Sequence, residues 1–240
     1  KRVVPQAQEL IAQFQDDDDF KDIHTYLLNI WEIANKGALS GIEATGKISF
    51  QHIPLYFKPQ MQLFVDGEEP FGGILEKIKI QDYFFYRLIE FHIQVIEQMG
   101  DKIQPRIQTI RIREYEDTKN LSELPVTLIT SEQKEMLTKR GNFFRKMAKG
   151  AHYMYYTGHL SKMFFMGHIK FRADGRVMID GSSFKRFASD QCDKLEYQTR
   201  SIEDGRRSDE DIYITDDVLW ICSPYVYGFS FKCKMWGQFA

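Results

Sequence analysis

Three stretches of this 240-residue chain carry residue types that could do chemistry. The first is "GIEATGK", Gly41 to Lys47. A glycine, four residues, then Gly-Lys is most of a phosphate-binding loop, in which backbone N–H groups cradle phosphates and the lysine offsets their charge. Ile48 stands where that loop needs a magnesium-ligating Ser or Thr, and a helical pattern precedes it where a buried strand belongs. The second is "RVMID", Arg176–Asp180, a strand ending on an aspartate that could hold magnesium, without the following acid that would poise water. The third is the set His152, His159 and His168. A seven-residue spacing would put the first two on one helical face, but Gly158 interrupts the segment and no carboxylate sits at ligand spacing. Asp16–Asp19 lacks the spaced ligands and terminal Glu of a calcium loop and reads as an acidic helix start. No G-x-S-x-G or other nucleophile motif occurs, and Cys222 lies in an apolar stretch that favours burial over reactivity. The expected catalytic, cofactor-binding and metal-binding sets are therefore empty.

Charge suggests binding instead. The net charge of −2 excludes a polycation, yet Lys134 to Arg172 holds nine Lys and Arg against one acid, Glu135. Lys134, Lys139, Arg140, Arg145, Lys146 and Lys149 form a candidate partner-binding surface along one predicted helix. Tyr153, Tyr155, Tyr156, Phe164 and Phe165 follow and could stack on bases, so this region is also a candidate nucleic-acid interface. The ordinary alternative is a helix with a solvated outer face, followed by core aromatics. Glu203 to Asp217 carries seven acids against two arginines, and opposite charges on one subunit could steer neighbouring subunits together.

Positioning those residues requires a mixed fold. Phe20, Ile23, Leu27, Trp31 and Ala34 make a helical stripe that Gly37 should close. A short helical turn follows over 48–57. Alternating strands are then expected over 61–65, 75–86, 87–97, 107–115 and 124–130. Thr130-x-x-Gln133 is a capping box for the basic helix, which Gly150 should end. Strands are predicted over 168–172 and 176–180, a mobile charged loop over 201–211, and a short helix from Thr215. The expectation is an α+β protein. Its parts are an N-terminal helical segment (1–45), an antiparallel β-rich and barrel-like unit (46–130), a second α+β unit (131–221) and a junction (222–240).

Three cysteines without a CxxC pair argue against a disulfide framework and fit a reducing compartment, the cytoplasm or nucleus. No apolar run is long enough to span a membrane. A start at Lys1 without a signal-peptide pattern reads as an internal piece of a longer protein, with a processed N-terminus as the alternative.

Five blocks occur in a familiar order: "GKISFQHIPLYFKP", "LSELPVTLIT", "KRGNFFRKMAKGAHYMYYTG", "GRVMIDGSSFKRF" and "DDVLWICSPYVYGFSFKCKMW". Over Ile42–Trp236 the chain resembles the N-terminal region of fungal AAA-type ATPases. That family often carries Pro-Gly where Pro59-Gln60 stands here and Asp in place of Cys233. Its Walker motifs lie downstream of the last block, so no catalytic residue carries over. The resemblance implies a non-catalytic recognition or adaptor domain that presents a protein substrate or partner to the ATPase module. ATP and magnesium would belong to that module, as would assembly into a homo-oligomeric ring. Gly228, Phe229, Phe231 and Trp236 are then candidate junction residues, with Gly228 expected to let the chain turn.

Overall fold

The computed structural model describes residues 35–100, 102–164, 167–191 and 212–240. The four aspartates, the stripe from Phe20 to Ala34, Cys192 and the charged loop up to Asp211 lie outside the described residues.

The chain divides into two units, Lys1–Phe57 with Tyr115–Leu124, and Lys58–Glu114 with Pro125–Ala240. The first unit begins, among the described residues, with helical residues 35–45 (α1), which run through Gly37. An interior glycine costs a helix only about 0.5–1 kcal/mol, so Gly37 does not stop it. Gly46 does. It takes the left-handed conformation (φ 65°) and its N–H reaches back to the Ile42 carbonyl at 2.8 Å. Strand β1 (Lys47–Ile48) then pairs with β6 (Lys119–Asn120), and a 3-10 turn leads into the single-turn helix α2 (Ile53–Tyr56). Ile48, Ile53 and Phe57 are buried, and the Tyr115 ring meets Phe50 edge-on at 5.9 Å.

The second unit holds two antiparallel sheets, neither closed into a barrel. The five-stranded sheet has the order β5-β4-β3-β2-β7, with β2 at Gln62–Val65, β3 at Phe71–Asp82, β4 at Arg87–Met99, β5 at Lys102–Arg113 and β7 at Val126–Leu128. Ile89, Phe91, Ile93 and Val95 alternate as expected and are buried. Glu90 and His92 on the opposite face are buried too. Burial pushes the Glu90 carboxyl upward, but Arg111 at 2.7 Å outweighs it and leaves the group more acidic than usual. Strand β3 ends at Asp82 rather than running on to Tyr86. Asp82 pairs with Arg87, and Tyr83 to Tyr86 become the hairpin turn, closed by Tyr83 N–H donating to the Tyr86 carbonyl.

The six-stranded sheet has the order β10-β9-β13-β12-β11-β8. Its strands are β8 (His152–Tyr156), β9 (His159–Phe164), β10 (Gly167–Arg172), β11 (Gly175–Ile179), β12 (Val226–Ser230) and β13 (Met235–Phe239). The stretch expected as a junction thus supplies β12 and β13, interior strands between β11 and β9. Gly228 is not a turn. It sits in β12 opposite Ile179, where a Cβ would lie 2.3 Å from the Met178 carbonyl oxygen, so only glycine lets the strands approach.

Helix α3 (Ser131–Met147) starts at the expected capping box, with Thr130 and Gln133 bonding each other's N–H groups at 3.2 and 2.9 Å. Leu137, Phe144 and Met147 face one core together with Phe64, Ile96, Leu160, Val177, Trp220 and Phe239. Residues on both sides of 130/131 therefore share a core. Helix α4 (Gly181–Phe187) and the 3-10 segment Asp216–Ile221 complete the unit.

Candidate interaction surface

Most cations of the basic helix have partners within the chain. Lys134 places its ammonium 4.9 Å from the Trp220 ring centroid and donates to Gln62 Oε1 at 2.9 Å. Arg140 is half-buried and donates to the carbonyls of Pro70 and Cys222, and burial lowers its pKa against the pull of Glu69. Arg145 donates to Asp216 Oδ1 and Asn142 Oδ1, both at 2.7 Å. Lys149 lies 5.1 Å over the Tyr213 ring. Lys139 pairs with Glu135 one turn back. Lys146 is exposed. Most of these cations clamp the helix to its own chain, and Arg145 satisfies part of the acidic segment internally.

The phosphate-loop candidate is the end of a helix, not its beginning. Gly41 to Thr45 are helical, and the Gly46 N–H is already bonded to Ile42. The C-terminal end of a helix presents carbonyls and repels phosphate. Asp180 likewise has structural work: its carboxylate caps α4 by accepting from the Ser183 N–H and hydroxyl at 2.9 and 2.6 Å.

His152 and His159 lie on strands, not on one helical face. β8 and β9 are separated by β11, β12 and β13. His168, on β10, has Nδ1 at 3.2 Å from Ser161 Oγ, a nucleophile-to-base distance that the sequence did not expose. Burial, then Lys170, lowers the His168 pKa, and no carboxylate is bonded to its other nitrogen among the described residues. The pair thus lacks the orienting group of a hydrolytic site. It adjoins a polar recess of about 270 Å³ crossed by the Glu68–Lys170 ion pair. No group of three or more His, Cys, Asp or Glu in metal-ligand proximity occurs among the described residues.

A continuous apolar surface does form, on the outer face of the six-stranded sheet. Tyr153 is registered against Met178, Met178 against Phe229, and Phe229 against Trp236, giving one row across β8, β11, β12 and β13. Strand alternation puts all four on the same face. Ring contacts connect the row to its neighbours. Phe229 meets Trp236 and Phe231 at 5.3 Å each, Phe231 meets Tyr153 at 5.7 Å, and Phe187 of α4 stacks on Trp236 at 6.0 Å. Such pairs contribute roughly 0.5–1.5 kcal/mol each beyond burial. Helix α4 covers one part of the face: Phe184 stacks on Tyr227 at 4.7 Å and both are buried. The remainder is open, with Phe187 64% exposed, Tyr153 61% and Phe231 42%. Phe229 and Trp236 are half-buried, neither core residues nor free side chains.

Of the expected site residues, the structure brings Phe229, Phe231 and Trp236 together and leaves Gly228 beneath them in the sheet. Sequence reasoning missed Tyr153 and Phe187 as their partners. The signal for Tyr153 was the period-two pattern of "HYMYY"; nothing in the sequence places Phe187 over Trp236.

A family model described as a domain of unknown function, DUF7025, matches residues 39–132, from within α1 to the first turn of α3. No curated protein and no solved structure matches the chain significantly. No helix among the described residues is long and apolar enough to cross a membrane.

Proposed function

We propose that this chain is a non-catalytic recognition domain of an AAA+ ATPase and that the aromatic face of the six-stranded sheet docks on the ATP-driven module. The observation that supports this is the ladder Phe187–Trp236–Phe229–Phe231–Tyr153. Five rings are in continuous contact and three are open to solvent. Three of the five belong to the block that resembles the family junction. Apolar surface left in water forgoes about 25 cal/mol per Å², which a partner recovers by covering it. In this reading the module carries ATP and magnesium, forms the homo-oligomeric ring, and receives protein clients from the domain.

The alternative, a nucleic-acid platform over residues 134–172, draws less support. Its cations on α3 are mostly engaged within the chain, and Tyr153 and Phe164 lie on strands with three others between them.

The test is the encoded full-length protein carrying Phe231→Glu with Tyr153→Glu. Circular dichroism should be unchanged, while limited proteolysis between the domain and the module accelerates and client-stimulated ATP turnover falls. Unchanged cleavage and turnover would remove the docking role from this face.

A further inference from the structure

Strand β8 is an edge of the six-stranded sheet, and among the described residues it is the edge without protection. Sheet edges expose unpaired N–H and C=O groups, and proteins blunt them with charge, proline, bulges or short length. The other described edges of the second unit follow that rule. β10 carries Lys170 and Arg172; β5 carries Pro105, Arg106, Arg111 and Arg113; β7 has three residues. β8, "HYMYY", has no Lys, Arg, Asp, Glu or Pro, and all five residues keep unbroken register with β11. Its one polar end, His152, is tied back to the Lys149 carbonyl at 2.7 Å.

Both sides of this edge are apolar. Outward, Tyr153 and Tyr155 are 61% and 73% exposed and continue the aromatic row. Inward, Met154 and Tyr156 line a cavity of about 80 Å³ together with Phe143, Pro224, Val226 and Phe239, room for one aliphatic side chain. Phe143 at its rim is exposed. A strand added beside β8 would meet aromatic rings at one set of alternate positions and an apolar cavity at the other.

We infer that β8 captures an extended segment of a client polypeptide by strand addition, the sheet growing by one strand. Main-chain hydrogen bonds supply the affinity, and alternation of aromatic or β-branched with aliphatic residues supplies the selectivity. A second copy fits less well. Five-residue strand pairing falls far below the roughly 1,200–2,000 Å² that stable protein interfaces bury, which suits a transient client and not a dimer. This inference rests on the recognition-domain reading and names its client.

The experiment uses the 240-residue chain and a fluorescein-labelled nonapeptide alternating tyrosine or threonine with valine, flanked by lysines. Two further peptides carry N-methyl groups on one or the other set of alternate residues. Only one set faces the edge in an antiparallel or parallel ladder. The expected result is saturable anisotropy, at least tenfold weaker with Tyr155→Lys, lost with one N-methylated peptide and kept with the other. Amide exchange over 152–156 should slow on binding. No binding, equal binding of both methylated peptides, or unchanged exchange at β8 would overturn the inference. So would a dimer of the free chain that Tyr155→Lys dissociates, since it would give the edge to a second copy. The Phe187→Glu variant separates the two proposals, because Phe187 packs on Trp236 of β13, with β12 and β11 between that strand and β8; it should weaken module docking in the full-length protein and leave peptide capture by β8 within twofold.

Discussion

Arg145 holds Asp216 at 2.7 Å, joining a cation of the basic helix to the acidic stretch that the charge pattern sets against it. That part of the attraction is satisfied within one chain. Arg145 is one-third exposed and Asp216 mostly exposed, so solvent screens the pair. A double-mutant cycle with Arg145→Ala and Asp216→Ala should give a coupling of about 0.2–1 kcal/mol that shrinks in molar salt. Urea denaturation of the four proteins measures it. A coupling near zero would mean that Arg145 acts only through the Ile214 carbonyl and Asn142.

Arg140 should behave unlike Lys146 on the same helix. Removing the Arg140 guanidinium strands the Pro70 and Cys222 carbonyls in a half-buried site. Arg140→Ala is expected to destabilise by about 1–3 kcal/mol. Lys146→Glu, on the exposed side, should stay within about 0.5 kcal/mol. Equal shifts in the urea midpoint would contradict the division between clamping and solvated cations.

Gly141 sits mid-helix, where alanine normally adds about 1 kcal/mol of stability. Here an added Cβ would lie 2.0 Å from the Leu219 carbonyl oxygen, so α3 could not pack on the Asp216–Ile221 segment. Gly141→Ala is therefore expected to lower stability by about 1–3 kcal/mol, the cost of overpacking. Thermal unfolding decides the sign.

Cys222 is buried, and burial raises its thiol pKa from 9.0 to about 12. The folded chain then keeps this proton where the unfolded chain releases it. The contribution of Cys222 is complete below pH 9.0 and is lost as pH rises from 9.0 toward about 12. Cys222→Ala should flatten that part of the stability profile relative to the parent. Iodoacetamide at pH 8 should label Cys222 only when urea unfolds the chain.

Much of the β-structure is legible because alternation marks the core face, as at Ile89, Phe91, Ile93 and Val95. The capping box at Thr130 read equally well, since its signal is local. What failed was information carried across the chain. Whether Lys134 or Arg140 faces solvent depends on Trp220 and Pro70, far away in sequence. β12 and β13 read as a junction because aromatics on an outer face hide the period of two, and because glycines at 228 and 237 mark close strand approach instead of turns. The aromatic surface itself could not be read, since its row is assembled from four strands and completed by α4.

The most direct measurement of the central claim is hydroxyl-radical footprinting of the chain alone against the chain joined to the ATPase module proposed for it. Phe187, Phe231 and Tyr153 should be oxidised readily in the chain alone and several-fold more slowly in the joined protein. Phe84 and Phe85, 94% and 89% exposed at the β3–β4 turn, serve as controls and should not change. Equal oxidation of Phe187, Phe231 and Tyr153 in both proteins would contradict docking through the aromatic face.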